Sequence, residues 1–318
     1  MTTTEPSTTE AELDLDGLVG PKGPFPVGPR DLRLTADDWQ PSDYTRFTVR
    51  PIAPVIGAEI DGVDLGAPVD DELFAELNRA LLEWKVLVFR DQDITADQHR
   101  DFAARWGALE SHPFARTLGD QPERVEVLRL EKDAKAGGYE NGWHSDVTWR
   151  ECPSLGSILR AVEVPEVGGD TLWADMGAAY DNLPDDTKDY LEGKVAIHDW
   201  MRTFGRRMDP EVRDALRPDF PAQEHPIVRT HPETGRKTLF VNRAFTERVV
   251  GLGDEDSAAL LEYLYSRAMF PEFQCRVRWN AGDVVFWDNR STQHYASSDY
   301  FPNRRVMERI TIVGDRPY

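Results

Sequence analysis

Cys152 and Cys275 are the only thiols in 318 residues, far apart and in no metal-ligand or redox spacing. This argues against a disulfide framework and fits a reducing compartment, the cytoplasm. Basic residues are scarce too: 37 Lys and Arg face 57 Asp and Glu, a formal net charge of −20. Nucleic-acid binders need concentrated cations to displace counterions, so that class is set aside. No run of about eighteen apolar residues is available to cross a bilayer as a helix. The opening stretch, MTTTEPSTTEAELDLDG, lacks the basic start and apolar core of a signal peptide. The charge balance gives no sign of membrane attachment, and a small anionic ligand fits only where arginines gather locally.

Forty per cent of residues are hydrophobic and nine are tryptophans, enough for a substantial core in one large domain. Residues 1–42 are Thr/Glu-rich and then Pro/Gly-rich, a composition that cannot offset ordering entropy, and they read as a flexible N-terminal tail. Residues 43–318 read as a single domain. DELFAELNRALLEW places Phe74, Leu77, Leu81 and Trp84 on one helical face. In TADQHRDFAARWG, Thr95 and Gln98 form a capping box. Further helices are expected at 176–192 and 254–269. Strands are expected at 85–90, 124–130, 156–163, 170–174, 238–242, 275–280, 283–287 and 308–314. Short strands at irregular spacing with helices between them predict a mixed α+β, mainly β fold, a double-sheet barrel with helical insertions.

Three histidines are followed two residues later by a carboxylate: His99/Asp101, His144/Asp146 and His231/Glu233. Two positions along a helix turn through about 200°, so His99 and Asp101 diverge and read as a solvated helix face. His231 and Glu233, in THPETGRK, read as exposed turn residues. His144 and Asp146 stand in GWHSDVTW, where extended backbone turns both side chains to one side. His294, in the polar loop after the apolar strand VVFW, is the best third donor. Two histidines and one carboxylate form the facial triad of non-haem iron(II) oxygenases, although zinc accepts the same ligands.

FPNRRVMERITIVGD puts Arg305 and Arg309 on one strand face, 11 and 15 residues past His294. Turned inward, two arginines imply an anion from outside the chain or a pair of internal carboxylates. Turned outward, they are a ladder of surface charge.

WHSDVTW, GGDTLWA, HPIVRTHPETG, LFVNRAFTERVV and WDNRSTQHYASSDYFPNRRVMERITIVGD together resemble the taurine dioxygenase family of iron(II)/2-oxoglutarate-dependent oxygenases, from about residue 46 to the end. The resemblance implies a distorted double-stranded β-helix, or jelly roll, with helical insertions. It implies Fe(II) on His144, Asp146 and His294, and O2 and 2-oxoglutarate as co-substrates. Arg305 and Thr171 would take the distal carboxylate of 2-oxoglutarate. Such enzymes couple decarboxylation of 2-oxoglutarate to hydroxylation of a second substrate.

The resemblance further implies that Arg309 and His112 hold the anionic group of that substrate, with Phe204 and Phe245 as aromatic walls and Val147 and Trp149 beside them. Glu140 and Asn141 fall where the family meets the substrate amine. A small organosulfonate such as taurine, or an alkyl sulfate ester, is the expected substrate. Hydroxylation beside sulfur or oxygen gives an adduct that collapses to an aldehyde plus sulfite or sulfate. The alternatives are the same chemistry on a carboxylate, such as an amino acid or aryloxyacetate, and a non-catalytic jelly-roll metal-binding protein. A homo-oligomer, dimer or tetramer, is expected.

Overall fold

The computed structural model describes residues 27–37, 39–40, 43–111, 127–134 and 140–318. Its main sheet contains β1 (Thr48–Pro51), β2 (Ala58–Asp61), β3 (Val86–Phe89), β4 (Leu109–Glu110), β5 (Leu128–Lys132) and β6 (Gly156–Glu163). A second sheet is built on β7 (Thr171–Asp175), followed in the chain by β8 (Val195–His198), β9 (Gln223–Pro226), β10 (Val228–Thr230), β11 (Lys237–Leu239) and β12 (Thr246–Val249). The chain ends with β13 (Gln274–Val277), β14 (Val284–Asp288), β15 (Thr292–Ala296) and β16 (Arg305–Ile312). In the main sheet the order is β1-β2-β3-β14-β6-β16-β4, with β5 also on β16. The smaller sheets are β13-β7-β15, β12-β8-β9 and β10-β11.

The layers follow from strand alternation. On β14, Val284 and Phe286 join a core shared with Leu77 and Leu81 of helix Asp71–Trp84 and Phe102 of helix Ala96–Ala103. Val285 and Trp287 point the other way, into a core shared with Trp173 of β7 and Val277 of β13. Helices therefore cover one face of the main sheet and the second sheet covers the other. With both faces covered, β3 and β14 are buried throughout, which explains the unbroken apolar runs VLVF and VVFW.

Helix Asp71–Trp84 starts on Asp70, whose side chain accepts from the Leu73 amide, and stops at Lys85, which is left-handed at φ 62°. The Thr95/Gln98 capping box is present. The helix expected over 176–192 is two, Met176–Asp181 and Asp185–Leu191, because Pro184 cannot supply the amide that would continue the first. The helix expected to reach 269 ends at Ser266 and tightens into a 3-10 turn, Arg267–Met269. Residues 124–126 of the strand expected at 124–130 lie outside the described residues.

Two of the discarded histidines are not at the surface. Asp101 faces solvent, but the divergence that separates it from His99 turns His99 inward with Phe102 and Ala103, fully buried against the sheet. His231 is buried as well. Its Nδ1 accepts from the amides of Glu233 and Thr234, and its Nε2 donates to Asp288 Oδ2 at 2.9 Å. The turn is built around the imidazole, while Glu233 is exposed.

Within the stretch read as a tail, the described residues are tied to the body. Asp31 and Asn182 exchange two hydrogen bonds of 2.8 and 2.7 Å. Trp39 Nε1 donates to Glu83 Oε1 at 2.9 Å. The carbonyl of Leu34 accepts from Lys85 Nζ, whose ammonium also lies 3.2 Å from Asp175 in a buried pair. Among the described residues of this stretch none joins a hydrophobic core cluster; backbone carbonyls and single polar side chains anchor them instead.

Candidate metal and anion site

The site lies between the two sheets. Partners across an antiparallel ladder share a face, so the pairings His294↔Trp173 and Ala296↔Thr171 on β15 and β7 turn all four side chains into one cavity. Opposite them, Arg305 and Arg309 of β16 and Leu159 of β6 line the same cavity. The arginines are thus on the inward face, with Met307 between them in the core, while Glu308 on the outward face meets Arg129 and Arg160.

His144 and His294 are joined through their backbones: His144 N–H donates to the His294 carbonyl at 3.0 Å, and His294 N–H to the His144 carbonyl at 2.7 Å. Their rings lie 4.1 Å apart between centroids. Candidate ligand atoms of His144, Asp146 and His294 all fall within 4.8 Å of one another, and among the described residues this is the one such group. His144 Nδ1 donates to the Gly142 carbonyl at 2.7 Å, which leaves Nε2 facing the site, 3.9 Å from Asp146 Oδ1. Burial pushes His294 down to about 3, so its imidazole is neutral and has a lone pair to give. Burial alone would raise the Asp146 carboxyl, but Arg309, the two imidazoles and the Ser157 hydroxyl outweigh it and hold the group well below the usual carboxylate range. Two imidazoles and one ionised carboxylate fit a divalent ion bound on one face.

Arg309 Nη1 donates to Asp146 Oδ1 at 3.0 Å, and among the described residues its buried Nε has no hydrogen-bond partner. Arg305 is buried with Nε and Nη2 unpartnered among the described residues, and its guanidinium carbon lies 5.9 Å from the ring centroids of Trp279 and of Tyr300. Burial lowers its pKa, against the pull of Tyr300, Glu140 and Asp170. Thr171 Oγ1 accepts from Trp279 Nε1 at 3.0 Å, so the hydroxyl proton remains for an incoming acceptor. A buried cation with free donors beside an oriented hydroxyl is a receptor for a carboxylate.

The remaining candidates divide. Glu140 lines the cavity, and its carboxylate meets Lys132 Nζ at 3.1 Å. Lys132 lies across from Arg305 on the β5–β16 ladder, so this acid stands on the Arg305 side. Asn141 is exposed and does not line the cavity. Phe245 packs edge-on to His144 at 6.3 Å, and Phe204 stacks on Phe245 at 5.8 Å. Both adjoin the metal face without lining the Arg305 cavity. Trp149 is fully buried against Phe220, in an apolar cluster with Val147, Trp200 and Phe245, so it backs the wall. His112 lies outside the described residues.

Sequence reasoning did not single out Lys132, Ser157, Trp279, Asn289 or Tyr300. None carries a spacing signal. Each reaches the site from a different strand or turn, and only the quoted stretch beginning WDNR held any of them, Asn289 and Tyr300.

Over residues 48–311 the chain matches the family described as taurine catabolism dioxygenase TauD, TfdA family. It is 38% identical over 278 residues to an alkylsulfatase of Acinetobacter baylyi, covering 85% of this chain and 86% of that protein. It is 36% identical over 277 residues to an alpha-ketoglutarate-dependent sulfate ester dioxygenase of Pseudomonas putida, covering 85% and 90%. The structure of a taurine dioxygenase from Burkholderia xenovorans superimposes with a TM-score of 0.74 at 37% identity, covering 86% of this chain and 93% of that one. The folded chain, from its triad to its paired inward arginines, belongs to the TauD/TfdA family of dioxygenases.

Proposed function

We propose that the protein is an Fe(II)- and 2-oxoglutarate-dependent dioxygenase that hydroxylates a small organic anion, a sulfate ester or sulfonate carried on an apolar chain. The observation that supports it most is the convergence of His144, Asp146 and His294 with Arg305 and Arg309 around one cavity. In this reading the facing sheets close as a jelly roll, residues 43–318 form one catalytic domain, and the enzyme works in the cytoplasm as a dimer or tetramer. It acts on neither nucleic acid nor membrane.

His144, Asp146 and His294 would hold iron(II), which when bound would supply the activation of dioxygen with electrons from 2-oxoglutarate decarboxylation. The chain positions the reactants. Arg305 and the Thr171 hydroxyl, both buried, grip the distal carboxylate of 2-oxoglutarate in a charge-assisted clamp. Arg309 neutralises Asp146 on one side and offers Nε to an anion on the other. Phe245 and Phe204 border His144 with apolar surface, and Met201 and Met208 pack into the same cluster. This favours an alkyl or aryl tail over the ammonium of taurine, because among the described residues the cavity's carboxylate, Glu140, is engaged with Lys132. For a sulfate ester, hydroxylation of the carbon bearing oxygen gives a hemiacetal sulfate. Its C–O bond breaks, the hydroxyl proton leaves, and an aldehyde and hydrogen sulfate form, with succinate and carbon dioxide from the co-substrate.

The test is anaerobic. Protein with Fe(II) and 2-oxoglutarate is offered medium-chain alkyl sulfates, alkyl sulfonates, taurine and aryloxyacetates. Alkyl sulfates are expected to perturb the visible absorption of the chelate and to give aldehyde on exposure to oxygen. Aryloxyacetates or taurine alone doing so would overturn the substrate reading.

A further inference from the structure

The WDNR turn between β14 and β15 is stitched to the ligand segment residue by residue. His144 pairs with His294 through backbone, Ser145 Oγ donates to the Thr292 carbonyl at 2.7 Å, and Asp146 is held by Asn289. The last contact is two-sided. Asn289 Oδ1 accepts from the Asp146 amide at 2.7 Å, and Nδ2 donates to the Asp146 carbonyl at 3.0 Å and to Ser154 Oγ at 3.0 Å. Asn289 is almost wholly buried, so a lost partner is not replaced by solvent.

The residue that follows explains why such a grip is needed. Val147 has φ 45°, a left-handed conformation that a β-branched side chain adopts only under constraint. On one side its side chain is packed among Trp149, Trp200 and Phe245. On the other, the Asp146 peptide is fixed by Asn289. The turn itself is rigid: Asp288 accepts from Arg290 Nε at 2.9 Å and Nη2 at 2.7 Å and from His231 Nε2 at 2.9 Å, and its carbonyl accepts from Thr292 Oγ1 at 2.7 Å. Released from Asn289, the Asp146 peptide would rotate to relieve Val147 and carry the carboxylate away from the imidazoles.

We propose that Asn289 is a positioning residue for the metal centre, its carboxamide holding the Asp146 peptide against the strain at Val147 so that the three ligands are aligned before a metal arrives. The inference rests on the metal-centre reading above. It is tested with Mn(II), which needs no oxygen or co-substrate, titrated calorimetrically into the full chain. The wild type is expected to take one ion per chain. N289A is expected to bind it 10- to 100-fold more weakly, the usual scale for groups that orient a ligand. Glycine tolerates positive φ, so V147G in the N289A background is expected to recover several-fold of that loss. S154A, which removes one Asn289 contact without touching Asp146, is expected to stay within about 2-fold of wild type. Where N289A does not fold, the isosteric N289D decides, because it loses every Nδ2 donation. Wild type that binds no ion removes the metal-centre reading itself. Wild type that binds, with N289A and N289D equally tight, or with no recovery on adding V147G, overturns the role of Asn289 alone.

Discussion

Arg309 Nη1 sits 3.0 Å from Oδ1 of Asp146, so the second arginine of the pair is bonded to a candidate iron ligand. The guanidinium helps hold the carboxylate ionised, and in the proposed reading it also receives the substrate anion. Arg309→Ala is expected to weaken the primary substrate by roughly 10- to 100-fold, the scale of one charge-assisted hydrogen bond. It should also weaken Mn(II) binding in the absence of substrate. Unchanged substrate KM would defeat the anion-receiving role, and unchanged Mn(II) affinity the ligand-holding one.

Asp146→Ala is expected to abolish metal-dependent decarboxylation of 2-oxoglutarate, since the remaining imidazoles leave one face of the ion open. Release of carbon dioxide from carboxyl-labelled 2-oxoglutarate measures it. Full activity in this variant would remove the triad assignment.

Arg305→Ala should raise KM for 2-oxoglutarate about 100-fold, from the loss of a buried charge-assisted clamp, while KM for the primary substrate moves little. Steady-state kinetics with each substrate varied in turn provides the comparison. Equal effects on both would refute the division of labour between the two arginines.

Lys132 and Glu140 stand over Arg305, the lysine across the ladder and the acid 3.1 Å from it. Glu140→Gln removes a negative charge near the incoming carboxylate and is expected to lower KM for 2-oxoglutarate a few-fold. Lys132→Met is expected to raise it by a similar factor. Both effects should shrink in about 1 M salt, because both side chains are partly exposed. Variants indistinguishable from wild type at low salt would show that the pair takes no part in co-substrate binding.

Acid should destabilise the metal-free chain in a defined window. Burial pushes His99 and His225 down to about 4 and His294 to about 3 from an ordinary 6.5, and it lowers His198 as well. Below 6.5 the unfolded chain takes up protons that the folded one refuses, so stability falls as pH drops from 6.5 towards 4. Above 6.5 these groups contribute no slope. Each histidine adds roughly 1.4 kcal/mol per pH unit inside the window. Urea unfolding midpoints at pH 7 and pH 5 should differ clearly, and less so in His99→Leu. A flat midpoint would contradict the burial of these rings.

The helix Asp71–Trp84 was legible to the residue, because its cap, its apolar spacing and its end are local. So was the shared face of Arg305 and Arg309 on β16, since a strand's period of two places them together, but not that this face points inward. His99 and His231 were misread for the opposite reason. A polar side chain at a position that packing turns inward gives no local sign of it, and the Asp288 that satisfies His231 lies 57 residues away.

The sequence by itself determined the chemistry this protein has to offer: two imidazoles, a carboxylate and a pair of arginines at spacings that strand geometry can bring together. Only the tertiary structure decided which guanidinium touches Asp146, that Glu140 answers to Lys132, and that Asn289 grips the backbone at the strained Val147. The reason is range. Periodicity and capping act within a few residues, whereas Asn289 and Arg309 reach Asp146 from 143 and 163 residues away, and Glu140 meets a lysine that the β5–β16 ladder has set beside Arg305.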